Sequence, residues 1–397
     1  MIIQPKIRGF ICTTAHPVGC AQYVQKQMDY VRSHGMIGNG PQRVGVGGAS
    51  TGYGLASRIV TAFGCGASTI GVFLEKEAEN SRTASAGWYN SVAFEQKAKN
   101  EGLYARSLNI DAFCDEAKQR VVDLIKKDLG AIDLLIYSLA APRRQHPRTG
   151  QVAKSVLKPI GAPHTSISID ASTNTLETVT LPAASQEEID QTVSVMGGED
   201  WEFWIDALAR EKLLGERFMT VAYSYVGPEL TKIIYRHGTI GRAKDHLEKT
   251  AKKLDERLKK TGGRALISVN KALVTQSSSA IPVIPLYFTL LNKVMKEKNL
   301  YENCIAQICR LFSTRLYTGN PIPVDENGLI RMDDLETRPD VQAQVLESWK
   351  KLSQENLAQL ADLDGYHREF LQLFGFGFDE VNYEADVNPV QKLLSLP

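Results

Sequence analysis

Apolar residues along the 397-residue chain fall into short blocks that alternate with runs at helical spacing. Residues 44–47 are short, apolar and β-compatible, and they run into Gly47-Gly48-Ala49-Ser50-Thr51-Gly52-Tyr53-Gly54. Leu55, Ile59 and Phe63 follow at helical spacing. Residues 69–75 read as a buried strand, 104–110 as a weaker one, and 132–139 as another buried strand. Between the last two, residues 113–129 predict a helix with Ala117, Val121, Leu124 and Ile125 on one side. Residues 220–225 and 265–269 add two further strands, separated by a helical segment. Strands alternating with helices predict an α/β fold built on a parallel, doubly wound sheet.

The alternation is interrupted from residue 142 to about 198 by Pro, Gly and Ser. Within that stretch, residues 166–170 and 175–181 alternate with period two around a turn-like 171–174, which predicts a small β-hairpin inserted into the fold. From residue 284 onward the chain reads as mainly helical, with no internal repeat. The first forty residues have mixed character and allow no assignment. With no low-complexity segment or long linker, residues 1–397 are expected to form one enlarged unit: an insertion at 142–198 and a helical C-terminal part at 284–397.

Composition narrows the class. Lys and Arg total 46 against 45 Asp and Glu, a net charge of +1, so there is no general electrostatic reason to expect nucleic acid or an anionic membrane as partner. Cys12, Cys20, Cys65, Cys114, Cys304 and Cys309 contain no CxxC and no paired Cys/His ligand spacing. They read as reduced thiols, with no metal site expected. The opening Met1-Ile2-Ile3-Gln4-Pro5-Lys6-Ile7-Arg8 has charge and proline where a signal peptide needs an apolar core. The longest apolar stretch, 280–291, is interrupted by Pro282 and Pro285 and is shorter than the roughly 20 residues of a membrane span. A soluble, cytoplasmic protein is expected.

The glycine cluster lies where a strand gives way to a helix. Glycines there let the backbone turn sharply and approach a pyrophosphate, whose charge suits a helix N-terminus. Glu75 closes the next strand, 21 residues after Gly54, where a carboxylate can accept from ribose hydroxyls. Taken singly, the loop also suits a tight structural turn and Glu75 a surface acid. Their order favours dinucleotide binding. Gly54 is followed by Leu55-Ala56 rather than Lys-Ser/Thr, which disfavours a Walker-type nucleotide loop.

A second constellation lies further on. Ile240, Ala243, Leu247, Ala251, Leu254 and Leu258 form an apolar stripe with Thr239 as a suitable N-cap. At 100° per residue Lys244 falls inside that stripe, where an ammonium either needs a partner or snorkels outward. Tyr235 lies nine residues earlier and would face the opposite side of one straight helix. The two converge only across a break, for which Gly238 and Gly241 are candidates. Spacing alone favours a core tyrosine.

At these residues the sequence closely resembles the monomeric NADH-dependent trans-2-enoyl reductases acting on enoyl-ACP and enoyl-CoA thioesters, which resemble enlarged short-chain dehydrogenases. The resemblance runs over essentially the whole chain. Its most specific pieces are Gly48-Ala-Ser-Thr-Gly-Tyr-Gly54, Gly87-Trp-Tyr-Asn90, Tyr137-Ser-Leu-Ala-Ala-Pro142, Met196-Gly-Gly-Glu-Asp-Trp201 and Tyr235-x8-Lys244. The resemblance implies a Rossmann-like sheet and NADH as cofactor. It implies that Gly48, Ala49, Ser50, Thr51, Gly52 and Tyr53 hold the pyrophosphate region, Leu74 and Glu75 the adenosine ribose, and Asp111 and Ala112 the adenine. Leu139 and Ala140 would lie against the cofactor, and Leu273, Val274 and Thr275 would close over its nicotinamide side.

By the same resemblance Tyr225 contacts substrate, Tyr235 is the catalytic proton donor, and Lys244 binds cofactor and supports Tyr235. The implied reaction delivers hydride to C3 of an enoyl thioester of acyl carrier protein or coenzyme A, the last reductive step of fatty-acid elongation. A ketoreductase or epimerase on the same fold, or a non-catalytic NAD-sensing protein, are the alternatives. Asp111 also suits a helix cap before Phe113, and Thr275 a loop hydroxyl. Gly45 and Gly47 stand where larger apolar residues are expected, which predicts a loosened first strand. Residues 280–295 suit either an acyl channel or a core helix.

Overall fold

Seven parallel strands carry the architecture: β1 (Arg43–Gly47), β2 (Ser68–Phe73), β3 (Ala105–Asn109), β4 (Ile132–Tyr137), β5 (Leu214–Ser224), β6 (Arg264–Val269) and β7 (Leu329–Arg331). In this computed structural model every residue is described except 9–10, 81, 171–172, 277–282 and 396–397. The strand order is β3-β2-β1-β4-β5-β6-β7, the doubly wound arrangement in which strand progression reverses between β1 and β4. Alternate residues feed two cores. Val44, Val46, Leu134, Ile136 and Val221 face one, and Ile70, Val72, Leu135, Ala222 and Ile267 the other. Burial on both faces explains why these strands read as continuous apolar runs.

β1 is not loosened by its glycines. It pairs along its length with β2 and with β4. A Cβ on Gly45 would stand 3.1 Å from Leu135 Cδ1 and one on Gly47 3.6 Å from Leu139 Cγ, so neighbouring leucines occupy the space.

The hairpin expected in the interrupted stretch is present as His164–Asp170 antiparallel to Thr175–Leu181, with residues 171–172 of its turn outside the described residues. A second, shorter hairpin joins Arg143–Gln145 to Val152–Lys154. Helix Thr239–Leu258 buries Ala243, Leu247, Ala251, Leu254 and Leu258, as the apolar stripe predicts. Its N-cap is Gly238 rather than Thr239. The Thr239 hydroxyl instead donates to Val156 O and accepts from Lys158 N at 3.3 Å, drawing residues 156–158 against the helix start.

Helix Ile284–Glu297 is buried nearly all round through Leu286, Tyr287, Phe288, Leu290, Leu291, Val294 and Met295. That is the pattern of a core helix; residues 280–282 of the apolar stretch lie outside the described residues. The unassigned N-terminal region contains helix Pro17–Ser33, which packs on helix Ala86–Asn100. Residues 389–395 run along that second helix. Trp88 Nε1 donates to Gln391 O at 2.9 Å, Tyr89 Oη to Pro389 O at 2.7 Å, and Ser395 N to Glu95 Oε2 at 3.1 Å.

Candidate active site

The site residues expected from sequence lie at or beyond the carboxyl ends of the strands, where ligands of doubly wound sheets bind. Gly48 prolongs β1 by donating to Val72 O at 2.9 Å, with φ at 81°. Its missing side chain is required: a Cβ would fall 2.1 Å from Ser138 O, just past β4. Gly54 has the same constraint, 1.9 Å from Gly48 O, so the loop folds tightly back on its own helix. Thr51, the N-cap of helix Gly52–Ile59, makes no side-chain capping bond. The first turn therefore offers its amides, at the positive end of the helix, to an anion. These residues fit the diphosphate of a dinucleotide. Tyr53 turns inward instead, its Oη 2.8 Å from Lys271 O and 2.9 Å from Gln307 Oε1.

Glu75 lies just beyond β2 and is half-buried; its neighbour Leu74 is 69% exposed. The Ser50 hydroxyl donates to Glu75 Oε1 at 2.6 Å, and Asn109 brackets the Glu75 backbone with bonds of 2.7 and 3.0 Å. Burial pushes the Glu75 carboxyl above its usual range, against the lowering effect of the Ser50 and Ser85 hydroxyls. Helix Ala86–Asn100 closes over this acid. A Cβ on Gly87 would meet Glu75 Oε1 at 2.0 Å, and Asn90 Nδ2 donates to Ser50 O at 3.2 Å.

Asp111 is not the helix cap: it accepts from Phe113 N at 2.9 Å in the turn before helix Asp115–Leu124, whose N-cap is Cys114, and the Ala112 carbonyl accepts from Lys118 Nζ at 3.1 Å. Leu139 is half-buried beside Gly47, and Ala140 is exposed. Beyond β6, Leu273 and Val274 are buried and line a cavity of about 490 Å³ with Tyr301, Cys304 and Leu373. Thr275 faces the glycine loop, its Cγ2 3.8 Å from where a Gly52 Cβ would stand.

Tyr235 and Lys244 lie on either side of the break at Gly238. A Cβ on Gly241 would fall 2.0 Å from Arg236 O, so the chain bends there at a backbone–backbone contact. Tyr235 is buried edge-on against Tyr225. Burial raises its phenol well above the ordinary value, keeping it protonated, and its hydroxyl has no hydrogen-bond partner among the described residues. Lys244 Nζ donates to Tyr223 O at 3.4 Å on β5, and burial lowers its ammonium to about 8, with Glu248 opposing. No direct hydrogen bond joins Lys244 to Tyr235 among the described residues.

This arrangement matches a known group of enzymes. Residues 82–317 match a family model described as the trans-2-enoyl-CoA reductase catalytic region, and residues 2–80 match the NAD(P)H binding domain of trans-2-enoyl-CoA reductase. The chain belongs to the trans-2-enoyl-CoA reductase family.

An enoyl-[acyl-carrier-protein] reductase [NADH] of Opitutus terrae is 56% identical over 98% of this chain and 99% of its own. A trans-2-enoyl-CoA reductase [NADH] of Ruminiclostridium cellulolyticum is 56% identical over 98% of each. The crystal structure of Treponema denticola trans-2-enoyl-CoA reductase in complex with NAD superposes with a TM-score of 0.96 at 47% identity, covering 99% of this chain and 100% of that one.

A third family model, described as an enoyl reductase FAD binding domain, matches residues 324–387. That stretch does not fit a flavin dinucleotide. The run from β7 to the next helix, Met332 to Arg338, contains no glycine with which to approach a diphosphate. Ile330, Met332, Val341, Val345, Tyr366 and Phe370 are spent on the common core. Its buried acid, Glu336, has protein donors on both oxygens: Tyr225 Oη at 3.0 Å and Tyr287 Oη at 2.7 Å on Oε1, and Ala272 N at 2.6 Å on Oε2. Glu336 is the residue that sequence reasoning missed. In Met332-Asp-Asp-Leu-Glu336 it looks like one more acid of a solvated turn.

Proposed function

We propose that the chain reduces the C2=C3 double bond of trans-2-enoyl thioesters, with Gly48–Tyr53, Leu74, Glu75, Asp111, Ala112, Leu139, Ala140, Lys244 and residues 273–275 around NADH. NADH supplies the hydride that reaches C3. Glu75, held by Ser50, accepts from the ribose hydroxyls and repels a 2′-phosphate. Lys244 donates to the cofactor ribose and lends positive charge near Tyr235. Tyr225 lines the substrate side. Tyr235 stabilises the enolate formed at C1–C2 and gives up the proton.

The observation that carries this reading is the buried, protonated Tyr235 hydroxyl, which has no hydrogen-bond partner among the described residues and is set against Tyr225 at the carboxyl end of β5. A hydroxyl committed to the protein could not serve as a general acid. The test pairs NADH with crotonyl-CoA and, separately, with acetoacetyl-CoA. Consumption of NADH with the first alone supports the enoyl reading. Turnover of the second alone would indicate a ketoreductase, and binding without turnover a sensor.

The substrate is an enoyl thioester carried by acyl carrier protein or coenzyme A, in keeping with the names of both relatives. Matched thioesters on the two carriers, compared by kcat/KM, separate them. We further propose a cytoplasmic monomer with neither nucleic acid nor membrane as partner, its residues 142–198 an insertion and 284–397 a helical extension of one unit. Among the described residues no helix is long and apolar enough to cross a membrane. A single sedimenting species near 43.9 kDa is expected.

A further inference from the structure

We propose that Glu336 is a positioning residue for enoyl reduction: it holds Tyr225 by accepting the hydrogen bond its hydroxyl donates and fixes the backbone at Ala272, just ahead of Leu273–Thr275. The proposal rests on the reading of Tyr225 and Tyr235 as the residues that meet the substrate.

Glu336 is fully buried, where a carboxyl needs donors on every side. Its acidic neighbours are explained by ion pairs: Asp333 with Arg331, Asp334 with Arg310 and Arg315. Among the described residues no arginine pairs with Glu336, and the positive charge that acts on it is the buried Lys271 ammonium, with no ion-pair contact between them. The donors to Glu336 are two tyrosines and one peptide N–H. The direction of these bonds is set by the surroundings. Gln342 Nε2 donates to Tyr287 Oη at 3.2 Å, which leaves the Tyr287 proton for Glu336. The Tyr225 hydroxyl donates a hydrogen bond to the same carboxylate oxygen, whereas the second oxygen accepts from Ala272 N.

Two consequences follow for the reaction. The proton of Tyr225 is committed, so Tyr225 meets the thioester with its lone pairs or its ring and is not the acid. The ring is also held in one place, and Tyr235 packs edge-on against it. Glu336 thereby fixes the wall against which the proton donor rests. A glutamine cannot substitute for it, because an amide offers one accepting oxygen and one donating NH₂. Either the two tyrosines or the Ala272 N–H would lose their acceptor.

The experiment is a double-mutant cycle on kcat/KM for crotonyl-CoA, with wild type, Glu336→Gln, Tyr225→Phe and the double variant, and NADH affinity measured alongside. Glu336→Gln is expected to lower kcat/KM by roughly tenfold or more, the scale of one hydrogen bond to a charged group. In the Tyr225→Phe background the same change is expected to cost clearly less, because one partner is already gone and only the bonds to Tyr287 and Ala272 remain to be lost. Equal fold-losses in the two backgrounds, or no loss in the single variant, would overturn the proposal and leave the enoyl reading standing. A wild type that turns over no enoyl thioester would remove both. Should Glu336→Gln not fold, Glu336→Asp, which keeps two accepting oxygens on a shorter stem, enters the same cycle with the same criterion.

Discussion

Tyr225 and Tyr235 meet edge to face, ring centroids 4.7 Å apart and planes at 86°, yet among the described residues only the Tyr225 hydroxyl has a hydrogen-bond partner. Tyr235→Phe therefore removes a proton without removing a packing partner. Turnover is expected to fall by ~10²–10⁴-fold, the usual contribution of a general acid, with NADH affinity close to wild type. Rate and cofactor titration on the folded variant check this. Retention of more than about a tenth of the rate would assign the proton to another group.

Lys244 gives the site a pH dependence of known sign. Its ammonium titrates at about 8 because burial disfavours the charge. Below that pH the charge is present for the ribose; above it the amine is neutral. NADH affinity is expected to weaken as pH rises through about 8 in the wild type. Lys244→Ala is expected to bind NADH more weakly and turn over more slowly, with that step absent from its profile. Fluorescence titration from about pH 6.5 to about 9.5 reads both.

Glu75 should decide between the two nicotinamide cofactors. Like-charge contact with a 2′-phosphate costs several kcal/mol, so the wild type is expected to prefer NADH strongly. Glu75→Ala removes the repulsion and the ribose acceptor together. Its NADPH-to-NADH ratio of kcat/KM is expected to rise by about 10-fold or more. An unchanged ratio would take Glu75 out of the cofactor site.

Gly87→Ala tests the same acid from the other side. The added methyl would stand 2.0 Å from Glu75 Oε1 and 2.9 Å from Ser50 Cβ, so the carboxylate or the helix must shift. A loss of about 1–3 kcal/mol is typical of such overpacking. The melting temperature and NADH affinity are both expected to drop. Unchanged affinity in a destabilised variant would show that the helix, not Glu75, gives way.

Much of this was legible from the chain. β1, β2, β4 and β6 are apolar runs because both sheet faces are covered, and Lys244 stood out because it interrupts an amphipathic stripe. Other parts carried too little signal. β7 is three residues long, following Asp325-Glu-Asn-Gly328, and owes its strand to pairing with β6 rather than to its own pattern. Helix Pro17–Ser33 buries Gly19, Cys20 and Gln27 among its contacts, which blurs the apolar stripe. Thr239 looked like an N-cap until tertiary contacts with Val156 and Lys158 claimed its hydroxyl. The partners of Glu336 are distant in sequence, 111 residues away for Tyr225 and 64 for Ala272, and no spacing rule reaches that far.

The strap of residues 389–395 across helix Ala86–Asn100 bears on how the protein is made. Trp88, Tyr89 and Glu95 find those partners 300 or more residues later in the chain. At about 5–20 residues per second, a ribosome emits that interval in roughly 15–60 s. Until then the helix that closes over Glu75 lacks its outer clamp, although the glycine loop and the first two strands have long since emerged. The cofactor site is thus begun by residues 43–75 and latched only by residues 389–395, so a ribosome that stalls between them leaves a sheet with an unlatched pocket.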